Sequence, residues 1–209
     1  HKRAWWLWLD RCTMHWADRV VFNNPGSIPF SEEYEGVRTE QVCVIGNGVD
    51  VSKTPANPAN RKNLGAKAES RILLAVGRLQ HVKRLDLLLE AMARLPSHLR
   101  QTELLVAGIG PLRDELQRQA SQLGLAERVH FLGLRDDVRA LLALADVFVL
   151  SSDVESMPNV VMEAMAVGCP VVATHVVGMN ELLPDYSFGW LVHPGNPDEC
   201  KRGSKSAYF

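Results

Sequence analysis

Two stretches of this chain collect residue types that handle anions and hydroxyl groups. The first is Gly77-Arg78-Leu79-Gln80-His81-Val82-Lys83, which follows an apolar run and precedes a helical pattern. Arg78 and Lys83 can grip an anion from two sides, Arg through a planar fork and Lys as a mobile point charge. Read alone, the pair is equally a set of solvated loop residues. The second stretch is Ser151-Ser152-Asp153-Val154-Glu155-Ser156-Met157-Pro158-Asn159, continued by Val160-Val161-Met162-Glu163-Ala164-Met165-Ala166-Val167. Its helix is apolar on nearly every side except at Glu163, which predicts a buried helix. A carboxylate there costs several kcal/mol, to order of magnitude, unless it is hydrogen-bonded or paired. Asn159, Val160 and Glu163 share a face that begins at the free N–H groups of the helix start, a natural phosphate site. Backbone donors would then face phosphate and a carboxylate would face sugar hydroxyls. The competing reading is a buried Glu163 paired with an internal Arg. Between these stretches lies Gly108-Ile109-Gly110-Pro111, whose glycines let backbone approach a ligand and whose proline suits a first helical turn. Arg113 replaces the third glycine of a dinucleotide fingerprint, and no G-x-x-x-x-G-K-[ST] sequence is present.

These residues need a scaffold, and the pattern supplies one. Apolar runs Ile72–Val76, Leu104–Ala107, Val129–Leu132, Val147–Leu150, Val171–Ala173 and Trp190–Val192 each suit a buried strand. Helical stretches near Leu85–Leu95, Leu112–Leu123, Val138–Ala145, Asn159–Val167 and Met179–Leu183 alternate with them. The alternation predicts an α/β domain, a Rossmann-like open parallel sheet with helices on both faces. Such sheets bind ligands beyond the carboxyl ends of their strands, where the stretches above fall. Upstream, Trp5, Leu9, Cys12, Trp16 and Val20 recur at helical spacing. Strands are expected at Val20–Phe22 and Gln41–Ile45, with a turn at Asn23-Asn24-Pro25-Gly26. Pro55, Pro58 and a lack of apolar periodicity make residues 51–70 read as a linker.

Composition narrows the class. Of 209 residues 46% are hydrophobic and 22% charged, which is ordinary globular usage and excludes disorder, collagen and a disulfide scaffold. Twenty-three Lys plus Arg balance 24 Asp plus Glu, so the charge footprint of a nucleic-acid binder is missing. Cys12, Cys43, Cys169 and Cys200 form no CxxC pair, so neither a metal nor a redox motif is expected. The default compartment is a reducing cytosol. The apolar run Ala4–Leu9, six residues long, suits neither a membrane span nor a signal peptide.

From about Ile72 to Pro197 the motifs stand together in one order. They are Gly77-Arg78-Leu79 with Lys83, Gly108-Ile109-Gly110-Pro111, Phe131-Leu132-Gly133, Ala145 to Ser151, Glu155-Ser-Met-Pro-Asn and Glu163-Ala-Met-Ala. This set resembles the donor-binding half of retaining GT-B glycosyltransferases of family 4, or glycosyltransferase group 1, including two glutamates at the spacing of Glu155 and Glu163. The resemblance implies a retaining hexosyltransferase that uses a UDP-sugar or GDP-sugar as donor, with no cofactor and no essential metal. By the same resemblance, Arg78 and Lys83 hold the diphosphate and neutralise the leaving group. Glu163 binds the ribose and Glu155 a hydroxyl of the donor sugar. Backbone groups at Met157, Pro158, Asn159 and Val160 line sugar and phosphate, Gly108 stands close by, and Leu132 and Gly133 lie near the base. The partner on the other side is a glycan or lipid-linked acceptor, in polysaccharide assembly.

Asn47-Gly48-Val49-Asp50 is similar to the family's interdomain junction. Residues 1–50 then read as a remnant of the N-terminal acceptor-side domain, 51–70 as a linker, 71–199 as the donor-binding domain and 200–209 as an atypical tail. Gly46 stands where the family has proline, and Arg84 where glycine commonly follows the lysine. The glycine-rich loop and catalytic histidine of the family's first domain have no counterpart here. The expectation is a truncated enzyme, inactive alone, in the cytoplasm or peripheral at the inner membrane face. Trp5, Trp6 and Trp8 beside Lys2 and Arg3 suit either a membrane interface or a face packed on the missing domain. Rival readings are a nucleotide-sugar-binding module without transferase activity and a sugar-nucleotide epimerase of similar fold.

Overall fold

The computed structural model describes residues 4–53, 59–183 and 189–195 of the chain. The tail at 200–209, Lys2, Arg3, Pro55 and Pro58 lie outside the described residues. Two parallel sheets organise the rest. The smaller pairs β1 (Val20–Phe22) with β2 (Val42–Val44). The larger holds β3 (Arg71–Val76), β4 (Thr102–Ala107), β5 (Val129–Gly133), β6 (Val147–Leu150), β7 (Val171–Thr174) and β8 (Gly189–Val192). Their order is β5-β4-β3-β6-β7-β8, all parallel.

The helices are α1 (Ala4–Met14), the single turn α2 (Ile28–Phe30), α3 (Leu85–Ala93), α4 (Arg113–Gln122), α5 (Val138–Leu144), α6 (Asn159–Ala166) and α7 (Met179–Leu182). In the larger sheet every expected strand and helix appears, within two residues of its expected ends. A strand buried on both faces sends alternate residues to opposite sides. Leu73 and Ala75 of β3 enter a core with α3 and α4, while Ile72 and Leu74 enter a second core with α5, α6 and α7. Leu64 and Ala66, from the stretch expected to link two domains, are buried in that second core. Ala59 N also donates to Ala140 O at 3.1 Å, so this stretch is packed on the sheet unit.

The amino-terminal helix departs from its expectation. α1 ends at Met14, so Trp16 lies beyond it and Val20 opens β1. Side chains claim the carbonyls at its end. Thr13 Oγ1 donates to Leu9 O at 3.0 Å, and Gln41 Nε2 donates to Met14 O at 3.0 Å and to Ala17 O at 2.5 Å. The Gln41 bonds satisfy carbonyls that another helical turn would otherwise occupy. No single apolar face is buried either: Trp5, Trp6, Trp8 and Trp16 are 53%, 48%, 66% and 84% exposed.

Candidate donor site

The chain runs outward from β3 to β5 on one side of the sheet and from β6 to β8 on the other. The order reverses between β3 and β6, where open sheets of this kind form a ligand crevice at the carboxyl ends of the strands. The loops after β3 and β6 meet there. Asp153 N donates to Val82 O at 2.8 Å and Ser151 Oγ to Lys83 O at 2.7 Å. This lacing brings Lys83 Nζ to 2.5 Å from Glu155 Oε1, to which Ser152 Oγ also donates at 2.7 Å. Both charges are largely shielded, with side chains 24% and 14% exposed.

Arg84 completes the turn. It is the one non-glycine residue with positive φ, at +46°, among the described residues. A left-handed residue with a Cβ costs about 1–2 kcal/mol. Its guanidinium bridges Asp86 at 3.1 Å and Asp153 at 3.2 Å, tying the turn to the loop that carries Glu155. Hydrogen bonding to Asp86 pushes the Arg84 guanidinium further up from its ordinary value.

Arg78 is exposed, and its side chain makes no hydrogen bond or ion pair with any described residue. It lines an open cavity of about 450 Å³ with Gly77, Gly108, Ile109, Leu134 and Arg135. The glycine at 108 serves packing as well as access. A Cβ there would stand 1.9 Å from Gly77 O, and φ is +145°. Backbone approaches backbone at this point, Gly77 N donating to Ala107 O at 3.0 Å and Leu79 N to Ile109 O at 3.0 Å. Gly133 holds the same corner from β5, its carbonyl accepting from Gly108 N at 2.7 Å. Leu132 packs against the second core. The cavity residues that follow β5 are Leu134, 77% exposed, and Arg135. Arg135 is clamped by Asp137, Nε to Oδ1 at 2.8 Å and Nη2 to Oδ2 at 2.6 Å. The hydrogen bond from Arg135 in turn holds the Asp137 carboxyl below its ordinary range.

On the β6 side, Pro158 is buried at the start of α6, whose first turn has no side-chain cap. Val161, Met162 and Ala164 are buried, but Glu163 is half-exposed, which corrects the expectation of a wholly buried helix. Its side chain has no ion-pair or hydrogen-bond partner among the described residues, so the buried Glu–Arg pair does not occur. Water access removes the desolvation cost that would have demanded one. Met157, Asn159 and Val160 surround this first turn, and Asn47, absent from the expected site, donates to Met157 O at 3.1 Å and Asn159 Oδ1 at 2.8 Å. Asn47, Leu134 and Arg135 gave little signal, because nothing in their local pattern says which distant loop they meet. The Arg-x-Asp spacing at 135–137 was the available hint of a fixed guanidinium. No group of three or more His, Cys, Asp or Glu among the described residues is placed to hold a metal ion.

The family model for glycosyl transferases group 1 matches residues 56–208. The lipopolysaccharide core biosynthesis glycosyltransferase LpsE of Rhizobium meliloti is 34% identical over 186 residues, covering 89% of this chain and 52% of that protein. The N-acetylgalactosamine-N,N'-diacetylbacillosaminyl-diphospho-undecaprenol 4-alpha-N-acetylgalactosaminyltransferase of Campylobacter jejuni is 30% identical over 197 residues, covering 91% and 50%. Among solved structures, Anabaena Alr3699/HepE in complex with UDP and glucose superposes with a TM-score of 0.88 at 30% identity, covering 97% of this chain and 57% of that one. The chain thus spans about half the length of the curated relatives it matches.

Proposed function

Because the chain belongs to the group 1 glycosyltransferases, we propose that it forms the donor side of a retaining enzyme moving a hexosyl group from a nucleoside-diphosphate sugar to a glycan or lipid-linked acceptor. The observation that carries this reading is the Lys83–Glu155 pair, laced between the loops after β3 and β6 at the sheet's switch point, with Gly77 and Arg78 of the same β3 loop lining a cavity. In the reaction the bond between the anomeric carbon and the diphosphate oxygen breaks, the acceptor hydroxyl oxygen bonds to the same face of that carbon, and the hydroxyl proton passes to the departing diphosphate. Negative charge grows on the departing diphosphate. Arg78 and Lys83 neutralise it, and fixed cations in a partly shielded crevice need little reorganisation to do so. The arriving diphosphate competes with Glu155 for the Lys83 ammonium, leaving Glu155 to accept from a sugar hydroxyl. Glu163, unpartnered and half-exposed, accepts from the ribose hydroxyls.

Of the two candidate bases we favour uracil, because the Anabaena neighbour is in complex with UDP. On this reading residues 71–199 hold the donor, 51–70 join them to the acceptor side, and 1–50 belong to that side. The acceptor is met at the cytoplasmic membrane face.

Calorimetric titration with UDP and GDP tests the reading. UDP is expected to bind, and Lys83→Ala and Glu163→Ala are each expected to weaken it at least tenfold, about 1.4 kcal/mol. A folded protein that binds neither nucleotide would sink the proposal, and preference for GDP would overturn the choice of base.

A further inference from the structure

Asn47 sits in the segment after β2, outside the six-stranded unit, yet its amide reaches the first turn of α6. Its Nδ2 donates one hydrogen to Met157 O at 3.1 Å and the other to Asn159 Oδ1 at 2.8 Å. A main-chain carbonyl can only accept, so Met157 obliges Asn47 to present its NH₂ rather than its oxygen. The second hydrogen of that NH₂ then needs an acceptor, which obliges Asn159 to present Oδ1. The remaining group on Asn159, its Nδ2 with two donors, has no partner among the described residues. Orientation thus passes from a fixed carbonyl through Asn47 to Asn159.

We propose that Asn47 is a positioning residue that holds Asn159 as a hydrogen-bond donor toward the oxygens of the bound nucleotide sugar. The polarity matches its surroundings. The start of α6 has no side-chain cap, so its N–H groups offer donors in the same place as the Asn159 amide. With Asn47 removed, Asn159 is free to rotate and offer its oxygen half of the time, setting two acceptors against each other. This inference rests on the donor-site reading above and adds a residue from outside the donor unit.

The test is a double-mutant cycle read by titration with UDP and with UDP-glucose. Asn47→Ala and Asn159→Ala are each expected to weaken at least one of these ligands by about three- to tenfold, the range of one hydrogen bond. The double variant is expected to be no weaker than Asn159→Ala alone, because Asn47 acts through Asn159. Asn159→Asp keeps the acceptor for Asn47 but replaces the donor with a carboxylate oxygen, and is expected to lose affinity while melting like the parent. Additive losses in the cycle, unchanged binding in Asn47→Ala, or parental binding in Asn159→Asp would each overturn the inference. Failure of the unaltered protein to bind either ligand or GDP would instead overturn the donor-site reading on which it stands.

Discussion

Lys83 and Glu155 are 72 residues apart in the chain and 2.5 Å apart in the crevice. An ammonium already engaged by a carboxylate is partly spent, and a diphosphate must displace that partner to use it. Removing the carboxylate's charge therefore has opposite consequences for two ligands. Glu155→Gln is expected to tighten UDP by about two- to fivefold, since a partly shielded pair is worth around 0.5–1 kcal/mol. The same change is expected to remove the gain that a UDP-hexose obtains from its sugar. Titrating both ligands into the variant checks this, and weaker UDP binding would place Glu155 on the nucleotide itself. Glu163 shows the other half of residue-scale chemistry. Its carboxylate has no partner among the described residues and is reached by water, and a hydrated carboxylate without a partner is free to accept from a ligand.

At the scale of elements, the site depends on three loop corners meeting without side chains between them. β3, β4 and β5 end together, and Gly77, Gly108 and Gly133 are the residues at that meeting. Gly108→Ala would force a methyl group to 1.9 Å from Gly77 O at a φ of +145°. It is expected to destabilise the fold by at least about 2 kcal/mol, with the loop carrying Arg78 displaced. Chemical denaturation measures the first effect and UDP affinity the second; a variant as stable as the parent would show that the corner yields. The turn at Arg84 follows the opposite rule. It tolerates a Cβ in the left-handed region because its side chain is held by Asp86 and Asp153. The same ion pairs fasten α3 to the β6 loop, so strain and function share one turn.

For the molecule as a whole, what distinguishes its two ends is exposed aromatic surface. The six-stranded unit buries its apolar residues in two layers, whereas α1 and the residue after its end leave Trp5, Trp6, Trp8 and Trp16 at 48–84% exposure. Trp5 and Trp6 stack with ring centroids 4.4 Å apart, which concentrates the patch. Contiguous aromatic surface of this kind drives association. In sedimentation velocity the average coefficient is expected to rise with concentration. In a variant with Ser at all four tryptophans it is expected to stay constant. Concentration-independent sedimentation of the parent would show that the patch is tolerated in water. Among the described residues no helix is long and apolar enough to cross a membrane.

Apolar runs of strand length, punctuated by glycine and alternating with helical periods, determined the order and bounds of β3 to β8 and of α3 to α7. These signals are local: burial on both faces demands continuous apolar residues, and turns demand glycine at particular positions. The same locality put Arg78 and Lys83 in the loop after β3, Glu155 in the loop after β6 and Glu163 in the second turn of α6, on the side of the sheet where open α/β sheets bind ligands. Local pattern failed where the deciding partner was distant. Trp16 and Val20 kept helical spacing, but Gln41 took the carbonyls of Met14, at the helix end, and of Ala17 beyond it from 24 to 27 residues away. Leu132 stood at a strand end, yet which way it faced depended on a core built by α5 and α6. Asn47 reached Asn159 across 112 residues. Pairings of this kind follow from how the sheet is ordered and how its loops pack, and only the tertiary structure decides them.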